Sequence, residues 1–306
     1  MPDVLRLGQG EPAPARIAVV GCGGAGCNIL QQVPADLGLT RVALNDAPHR
    51  SMAGIASRLI IPKESLIGLA TMDEIAVKQL STPEEKSISG AILTHDLVVP
   101  LAGLGGETGG PAASLVGRVA RILGTPTIAL VASPFTAEGA NRREAAGRAL
   151  DLLSKKVDGV VAFSNDELLK LAPQLPLLRA FQVLGAIMVR PLVDLARSMT
   201  RTDAATLAAV LRGKARWRFG GGTGDGKHRT YEAMEEALAS PWLPPNHDVL
   251  ERVVVIVAAP DFEDSLANEV LHEVRLAAPR ATVLLGGHVD EGVGERRLRV
   301  SLLTAW

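Results

Sequence analysis

The sequence predicts an α/β protein whose larger part is a parallel sheet covered by helices on both faces, followed by a smaller mixed α/β part. Short apolar runs rich in β-branched residues alternate with helical segments along most of the chain. Buried parallel strands have this near-continuous apolar pattern. Hydrophobic residues make up 47% of the 306 residues and aromatic residues only 3%, so we expect an aliphatic core in each of two lobes.

The first part of the chain repeats a strand–helix unit. A β-branched run at 16–20 stops at a glycine-rich turn, and a helical pattern follows at 26–33. Further strands are predicted at 39–44, 96–102, 126–132 and 157–163, and further helices at 111–123 and 142–156. This order of elements predicts a parallel sheet.

A long helical stretch at 177–199, interrupted only by Pro191, can connect this part to a second lobe. The glycine-rich run 219–226 is interpreted as a flexible connection. Helices are predicted at 204–211, 231–239 and 264–277, and strands at 252–259, 281–286 and 297–304. We therefore divide the chain into a Rossmann-like domain at 1–176, a connecting helix at 177–200 and a C-terminal α/β domain at 201–306.

Charge and cysteine content narrow the function classes. A formal net charge of -1 provides no basic surface for nucleic acid and no polybasic segment for direct membrane binding. The apolar runs are too short to span a bilayer. Cys22 and Cys27 lie in one glycine-rich turn and do not form a disulfide framework. We expect a cytoplasmic protein without a metal site of its own.

The first motif is the sequence GCGGAG at 21–26, between a strand and a helix. Glycines allow backbone N–H groups to approach a phosphate, and the helix N-terminus adds partial positive charge. The spacing fits G-x-G-x-x-G, and Asp46 follows a second strand as a dinucleotide site requires. Alone, this motif leaves a dinucleotide enzyme, another nucleotide fold and a simple packing turn open.

A second glycine loop, AGLGGETGGP at 102–111, follows another strand and precedes another helix. A dinucleotide enzyme does not need a second phosphate loop there, whereas two loops at neighbouring strand ends can converge on one polyphosphate. Thr108 offers a hydroxyl, and Pro111 suits a helix start. After the next strand, Glu138 can accept hydrogen bonds from ribose hydroxyls, and Arg142 can face phosphate or ribose, although a solvated ion pair explains them equally well.

With the segment SNDEL at 164–168, these motifs resemble, in order, the FtsZ branch of the tubulin superfamily over residues 16–304. The resemblance implies a GTP- or GDP-binding cytoskeletal protein, with Mg²⁺ as a companion of the nucleotide, that stacks head to tail with itself or with a related filament protein. It implies that a long central helix joins the two lobes. The nucleotide-binding residues that it implies are Gly21, Gly23, Gly24, Gly26, Asn28, Asn45, Asp46, Gly105, Gly106, Glu107, Thr108, Gly109, Gly110, Glu138, Arg142, Asn165 and Phe181.

Two departures from the family pattern affect nucleotide binding. Glu107 replaces a glycine of the phosphate signature, and two unit charges ~4 Å apart repel by about 4 kcal/mol at an effective dielectric of 20. We expect weakened binding unless Glu107 points away or meets a cation. Gly185 stands where the family has Asp or Asn to recognise guanine, four residues after the aromatic that packs on the base, which puts guanine specificity in question.

A third departure affects hydrolysis. The family loop N-x-D-x-x-D resembles residues 201–206, where Asp203 is kept, Thr206 replaces the second acid and Arg201 replaces the Asn. Asp203 is the candidate catalytic residue, because a carboxylate can polarise the attacking water. It is equally suited to cap the helix that follows.

Three hypotheses follow from these residues. The first is a head-to-tail filament protein that binds GTP or GDP and has weak or degenerate GTPase activity. The second is a non-hydrolysing tubulin-fold scaffold, or a partner of a related filament, that has lost nucleotide binding. The third is a dinucleotide-dependent enzyme, which leaves the loop at 102–111 unexplained.

Overall fold

The structure is a computed structural model that describes residues 3–8, 13–72, 79–213 and 216–306. The strands of the described residues are β1 (Val4–Arg6), β2 (Ile17–Cys22), β3 (Thr40–Asn45), β4 (Ser57–Ile60), β5 (Leu97–Gly103), β6 (Ile128–Ser133), β7 (Gly159–Ser164), β8 (Arg216–Asp225), β9 (Arg252–Ala259), β10 (Thr282–Val289) and β11 (Arg297–Ala305). The α-helices are α1 (Gly23–Leu30), α2 (Lys63–Thr71), α3 (Pro83–Ile92), α4 (Gly109–Leu123), α5 (Ala140–Ser154), α6 (Asn165–Leu171), α7 (Leu177–Ser198), α8 (Asp203–Leu211), α9 (Arg229–Leu238) and α10 (Asp264–Ala277).

The chain separates into two compact units. The first unit comprises Arg16–Val189 and Leu211–Arg216, and the second comprises Met1–Ala15, Arg190–Val210 and Trp217–Trp306. The division at 1–176, 177–200 and 201–306 remains a prediction.

The sheet of the first unit is parallel, with strand order β7-β6-β5-β2-β3-β4. All six residues of β2 are buried, as expected for a strand with helices on both faces. Cys22 pairs with Leu44 of β3 and with Ala102 of β5. The carboxyl ends of β2, β3 and β5 therefore lie side by side, and the predicted parallel α/β architecture is confirmed.

The core of the first unit is aliphatic. One cluster joins residues of β2, β3, β5, β6 and β7 to residues of α2, α3 and α4, and its buried members are Ala, Val, Leu, Ile and Cys. Helix α4 buries every residue from Ala112 to Ala120. Small and β-branched side chains allow helices and strands to pack closely, and this rigid layer fixes the loops at the strand ends.

The second unit contains a mixed sheet with strand order β1-β10-β9-β11-β8. Strand β10 runs parallel to β1 and β9, whereas β11 is antiparallel to β9 and β8. Its core cluster combines α9 and α10 with β9, β10 and β11. The mixed α/β second lobe is thus present, and β1 is a strand that the sequence analysis did not predict.

The glycine-rich run at 219–226 is not a flexible connection: most of it belongs to strand β8, which pairs with β11 along its length. A Cβ would lie very close to a backbone oxygen of α9 at three positions: 2.3 Å at Gly220, 2.1 Å at Gly222 and 2.0 Å at Gly224. No side chain fits between strand and helix at these alternate positions. The prediction was wrong because the pattern reflects helix packing rather than a turn.

Helix α7 has 22 residues and continues through Pro191. The predicted central helix is present without interruption, and the boundary between the two units falls within it, between Val189 and Arg190. Among the described residues, no helix combines the length and the apolarity needed to cross a membrane.

A buried polar cluster lies in the second unit around His288. Its Nδ1 is 3.0 Å from Ser198 Oγ, and its Nε2 is 4.0 Å from carboxylate oxygens of Asp194 and Asp290. Arg299 donates to both carboxylates, at 2.7 and 2.9 Å. Burial lowers the pKa of His288, so the imidazole is neutral at neutral pH in the folded protein.

Candidate functional site

A cavity of about 420 Å³ lies in the first unit, beside the carboxyl ends of β2, β5, β6 and β7. Open parallel sheets bind their ligands at such edges. The predicted site residues that line it are Gly23, Gly24, Asn28, Gly106, Glu107, Thr108, Gly109, Glu138, Arg142, Asn165 and Phe181. The structure therefore brings both glycine loops, the Glu138/Arg142 segment and the residues after β7 to one place.

Two helix N-termini meet at this cavity. Helix α1 begins at Gly23 and α4 begins at Gly109, and neither has an acidic residue in its first turn. Gly23 has a φ of +71°, and a Cβ there would lie 3.0 Å from the backbone N of Gly109. Free N–H groups and helix dipoles from both helices therefore point to one region, which is the arrangement that binds a polyphosphate.

The remaining predicted residues of the first unit do not line the cavity; these are Gly21, Gly26, Asn45, Asp46, Gly105 and Gly110. A Cβ at Gly26 would lie 2.1 Å from Leu101 O, so this glycine lets α1 pack directly on β5. A Cβ at Gly110 would lie 2.8 Å from Ala149 Cβ, where α4 packs on α5. Asn45 donates from Nδ2 to Ala47 O at 3.0 Å. Packing explains the glycines and a local hydrogen bond explains Asn45, whereas no such contact within the described part of the chain accounts for Asp46. Contact of these six residues with a nucleotide remains a prediction.

One end of the cavity offers an aromatic face and an unpaired acceptor. Phe181 is 44% exposed, and its ring packs edge-to-face against Phe135 with centroids 5.5 Å apart. Asn165 is buried, and its Oδ1 has no hydrogen-bond partner among the described residues. An unpaired buried polar atom costs about 1–3 kcal/mol. A ligand that donates a hydrogen bond here would remove that penalty.

The loop after β6 holds Glu138 in a defined position. Its Oε1 accepts a hydrogen bond from Phe135 N at 2.8 Å, and its Oε2 lies 3.2 Å from Arg142 Nε. Asp166 anchors the same loop, because its carboxylate accepts from the Thr136 hydroxyl at 2.6 Å and from Thr136 N at 2.9 Å. These two hydrogen bonds lower the pKa of Asp166. Each Glu138 oxygen keeps a lone pair for a further donor.

Glu107 meets a cation that the sequence analysis did not identify. Its Oε2 lies 2.5 Å from Lys63 Nζ at the start of α2. The hydrogen bond from Lys63 to Glu107 raises the pKa of Lys63. The negative charge beside the glycine loop is therefore paired, which is one of the two conditions under which Glu107 would not weaken phosphate binding. Nothing in the local sequence signals a pair that is 44 residues apart.

Asp203 lies in the second unit and is 5% exposed. Its Oδ2 accepts hydrogen bonds from Gly8 N at 2.9 Å, Thr200 N at 2.7 Å and Thr200 Oγ1 at 2.8 Å. It is also the first residue of α8. All three donors precede α8, so these contacts hold the segment before the helix and differ from the helix-capping role considered for this residue. The catalytic role of Asp203 remains a prediction.

Comparisons with known proteins agree with these features. The profile of the Tubulin/FtsZ family, GTPase domain, matches residues 57–173. Cell division protein FtsZ 1 of Pyrococcus horikoshii is 31% identical over 304 residues, which cover 96% of this chain and 81% of that protein.

Solved structures give the same result. The empty FtsZ dimer of M. jannaschii has a TM-score of 0.83 at 28% identity and covers 97% of this chain and 89% of its own. The GTPγS-bound protofilament of CetZ2 from Haloferax volcanii has a TM-score of 0.71 at 17% identity, covers 94% of this chain and 92% of its own, and supports the fold alone. Both glycine loops line one cavity, and the similarity to an FtsZ protein covers 96% of this chain. The chain therefore belongs to the FtsZ-like branch of the tubulin/FtsZ family.

Proposed function

We propose that this protein binds GTP or GDP in the cavity of the first unit, associates head to tail with copies of itself, and hydrolyses GTP slowly. The observation that carries the proposal is the meeting of the N-termini of α1 and α4 beside Gly23 and Gly109. Both helices present backbone donors without an acidic side chain in the first turn. A nucleoside triphosphate supplies the anionic groups that such donors bind.

The other residues of the cavity fit the rest of a nucleotide. Phe181 offers a partly exposed ring for stacking, and Asn165 offers an unpaired acceptor. Glu138 and Arg142 face the cavity as a fixed pair that can hold ribose hydroxyls and phosphate. Among the described residues, no group of three or more His, Cys, Asp or Glu is arranged to hold a metal ion. Mg²⁺ would therefore take most of its ligands from the phosphates and water.

An acidic substitution in the first turn of α1 tests phosphate binding. Ala25 lines the cavity and is exposed, so Ala25→Asp places a carboxylate there while remaining favourable for the helix N-terminus. Ala25→Asn has the same size without the charge and is the matched control. We expect Ala25→Asp to bind GTP about tenfold more weakly than Ala25→Asn at low ionic strength, a difference of about 1.4 kcal/mol.

The difference between the two variants should shrink as salt is added, because the charge is solvent-accessible. Titration of a fluorescent GTP analogue into each variant provides the measurement. Equal affinity of the two variants, or no binding by the unmodified protein, would refute the phosphate site.

Self-association is supported by the family and by the similar M. jannaschii FtsZ, whose solved structure is a dimer. Slow hydrolysis is supported by Thr206 in place of a second acid and by the three hydrogen bonds that Asp203 already accepts. Sedimentation with GTP, GDP or no nucleotide, combined with phosphate release at the same protein concentrations, tests both. A protein that binds GTP yet stays monomeric at all concentrations would contradict the assembly part.

A further inference from the structure

Gln32 covers the one glycine of α7 that lines the cavity. A Cβ on buried Gly185 would lie 2.2 Å from Gln32 Nε2 and 3.0 Å from its Oε1. A glycine inside a helix costs about 1 kcal/mol relative to alanine. Its presence here leaves the space that the Gln32 amide occupies, against the backbone of α7.

The donors and the acceptor of the Gln32 amide are available for a ligand. Within the described residues its side chain forms no hydrogen bond, and it lines the cavity together with Phe181 and Asn28. The preceding Gln31 differs, because its Nε2 donates to Ser51 O at 2.8 Å and so holds the fold. The two neighbouring glutamines therefore have different roles. Gln31 stabilises a loop through its hydrogen bond, and Gln32 faces the space beside an exposed aromatic ring.

We propose that Gln32 contacts the edge of a purine base that stacks at Phe181, and that it makes the site tolerant of both guanine and adenine. The inference rests on the proposed nucleotide binding. An amide has one acceptor and two donors, so it can pair with guanine through O6 and N1–H, or with adenine through N1 and the N6 amino group. A carboxylate has acceptors only, and it would pair with guanine N1–H and the N2 amino group but face the lone pair of adenine N1.

The isosteric variant Gln32→Glu tests this assignment. We expect the unmodified protein to bind GTP and ATP with affinities within about tenfold of each other. Gln32→Glu should raise the GTP/ATP affinity ratio by about tenfold, since one amide donor is lost toward adenine and an acceptor is placed against its N1. The ratio is the readout because an added negative charge would repel the phosphates of both nucleotides equally.

Two further variants separate base contact from a general disturbance. Gly185→Ala should push the amide away, because the atom that a Cβ would meet is the end of a flexible side chain, and we expect it to weaken both nucleotides severalfold. Gln182→Ala removes an exposed amide of the same helix that accepts from Arg179, and it should leave the ratio unchanged.

The outcomes distinguish this inference from the proposed function. Nucleotide binding with a ratio that Gln32→Glu does not change would overturn the role of Gln32 and leave the proposed function standing. A preference for GTP above a hundredfold in the unmodified protein would also overturn it. Failure of the unmodified protein to bind either nucleotide would refute the proposed function itself.

Discussion

Replacing Asp203 by alanine should destabilise the second unit. The carboxylate is 5% exposed and accepts three hydrogen bonds, two from backbone N–H groups of Gly8 and Thr200 and one from the Thr200 hydroxyl. Hydrogen bonds to a charged group contribute about 1.5–3 kcal/mol each, and their effects do not add fully when one acceptor serves all of them. We expect Asp203→Ala to lower the free energy of unfolding by about 3 kcal/mol.

Tryptophan fluorescence gives a specific readout, because Trp217, Trp242 and Trp306 all belong to the second unit. With a urea m-value of about 2–3 kcal/mol/M, the loss corresponds to a midpoint lowered by about 1–1.5 M. Asp203→Asn keeps a hydrogen-bond acceptor but not the charge, so the free energy of unfolding should fall by about half as much as in Asp203→Ala.

The matched control is Asp264→Ala, which also removes an acid from the first turn of a helix in the second unit. The Asp264 side chain is 82% exposed, and its ion pair with Arg6 is 3.5 Å long, so a change below about 1 kcal/mol is expected. The reasoning is refuted if Asp203→Ala unfolds at the same urea concentration as the unmodified protein. If phosphate release then falls by ~10²–10⁴ and Thr206→Asp raises it, Asp203 acts in hydrolysis instead.

Three more predictions follow from contacts described above. Lys63→Ala should weaken GTP binding about two- to fivefold, because it leaves Glu107 unpaired near the phosphates. Adding Glu107→Gln to this variant should restore the GTP affinity in the same titration. Independent effects of the two substitutions in the double variant would contradict the pairing. Burial lowers the pKa of His288, so the unfolded chain binds the proton first as pH falls below about 6.5, and stability should decline from pH 7 to pH 5. Urea midpoints should decline less in His288→Gln, and equal slopes would argue against this. Gly222→Ala places a Cβ 2.1 Å from the backbone of α9 and should lower the free energy of unfolding by about 2–3 kcal/mol. Gly221→Ala is the control, because its Cβ meets side chains that can move, and it should lower the free energy of unfolding less. Equal urea midpoints for these two variants would contradict the prediction.

The sequence predicted those parts of the fold whose signal is local. Strand β9 and helix α10 were predicted with the bounds that the structure shows, because each has an unbroken apolar or amphipathic pattern. Strand β8 was missed because its glycines carry no such pattern. Its strand conformation depends on β11 and α9, which approach it from elsewhere in the chain.

The same distinction holds for the candidate site. Both glycine loops could be identified because the residues that form each turn are consecutive. Lys63 and Gln32 could not be identified from the sequence, because the contact of each depends on a residue far away in the chain. Lys63 pairs with Glu107, and Gln32 packs at Gly185. A residue type at one position does not reveal such a pairing.

The meeting of α1 and α4 at Gly23 and Gly109 has a consequence for how this protein can change over time. Donors that belong to the main chain are kept when a side chain is exchanged, unless the new residue is proline, provided that the turn keeps its glycines. Under the proposed function, mutational drift can then replace residues that contact the base or activate water without first abolishing phosphate binding. Substitutions such as Gly185 and Thr206 are what such unequal tolerance would leave behind.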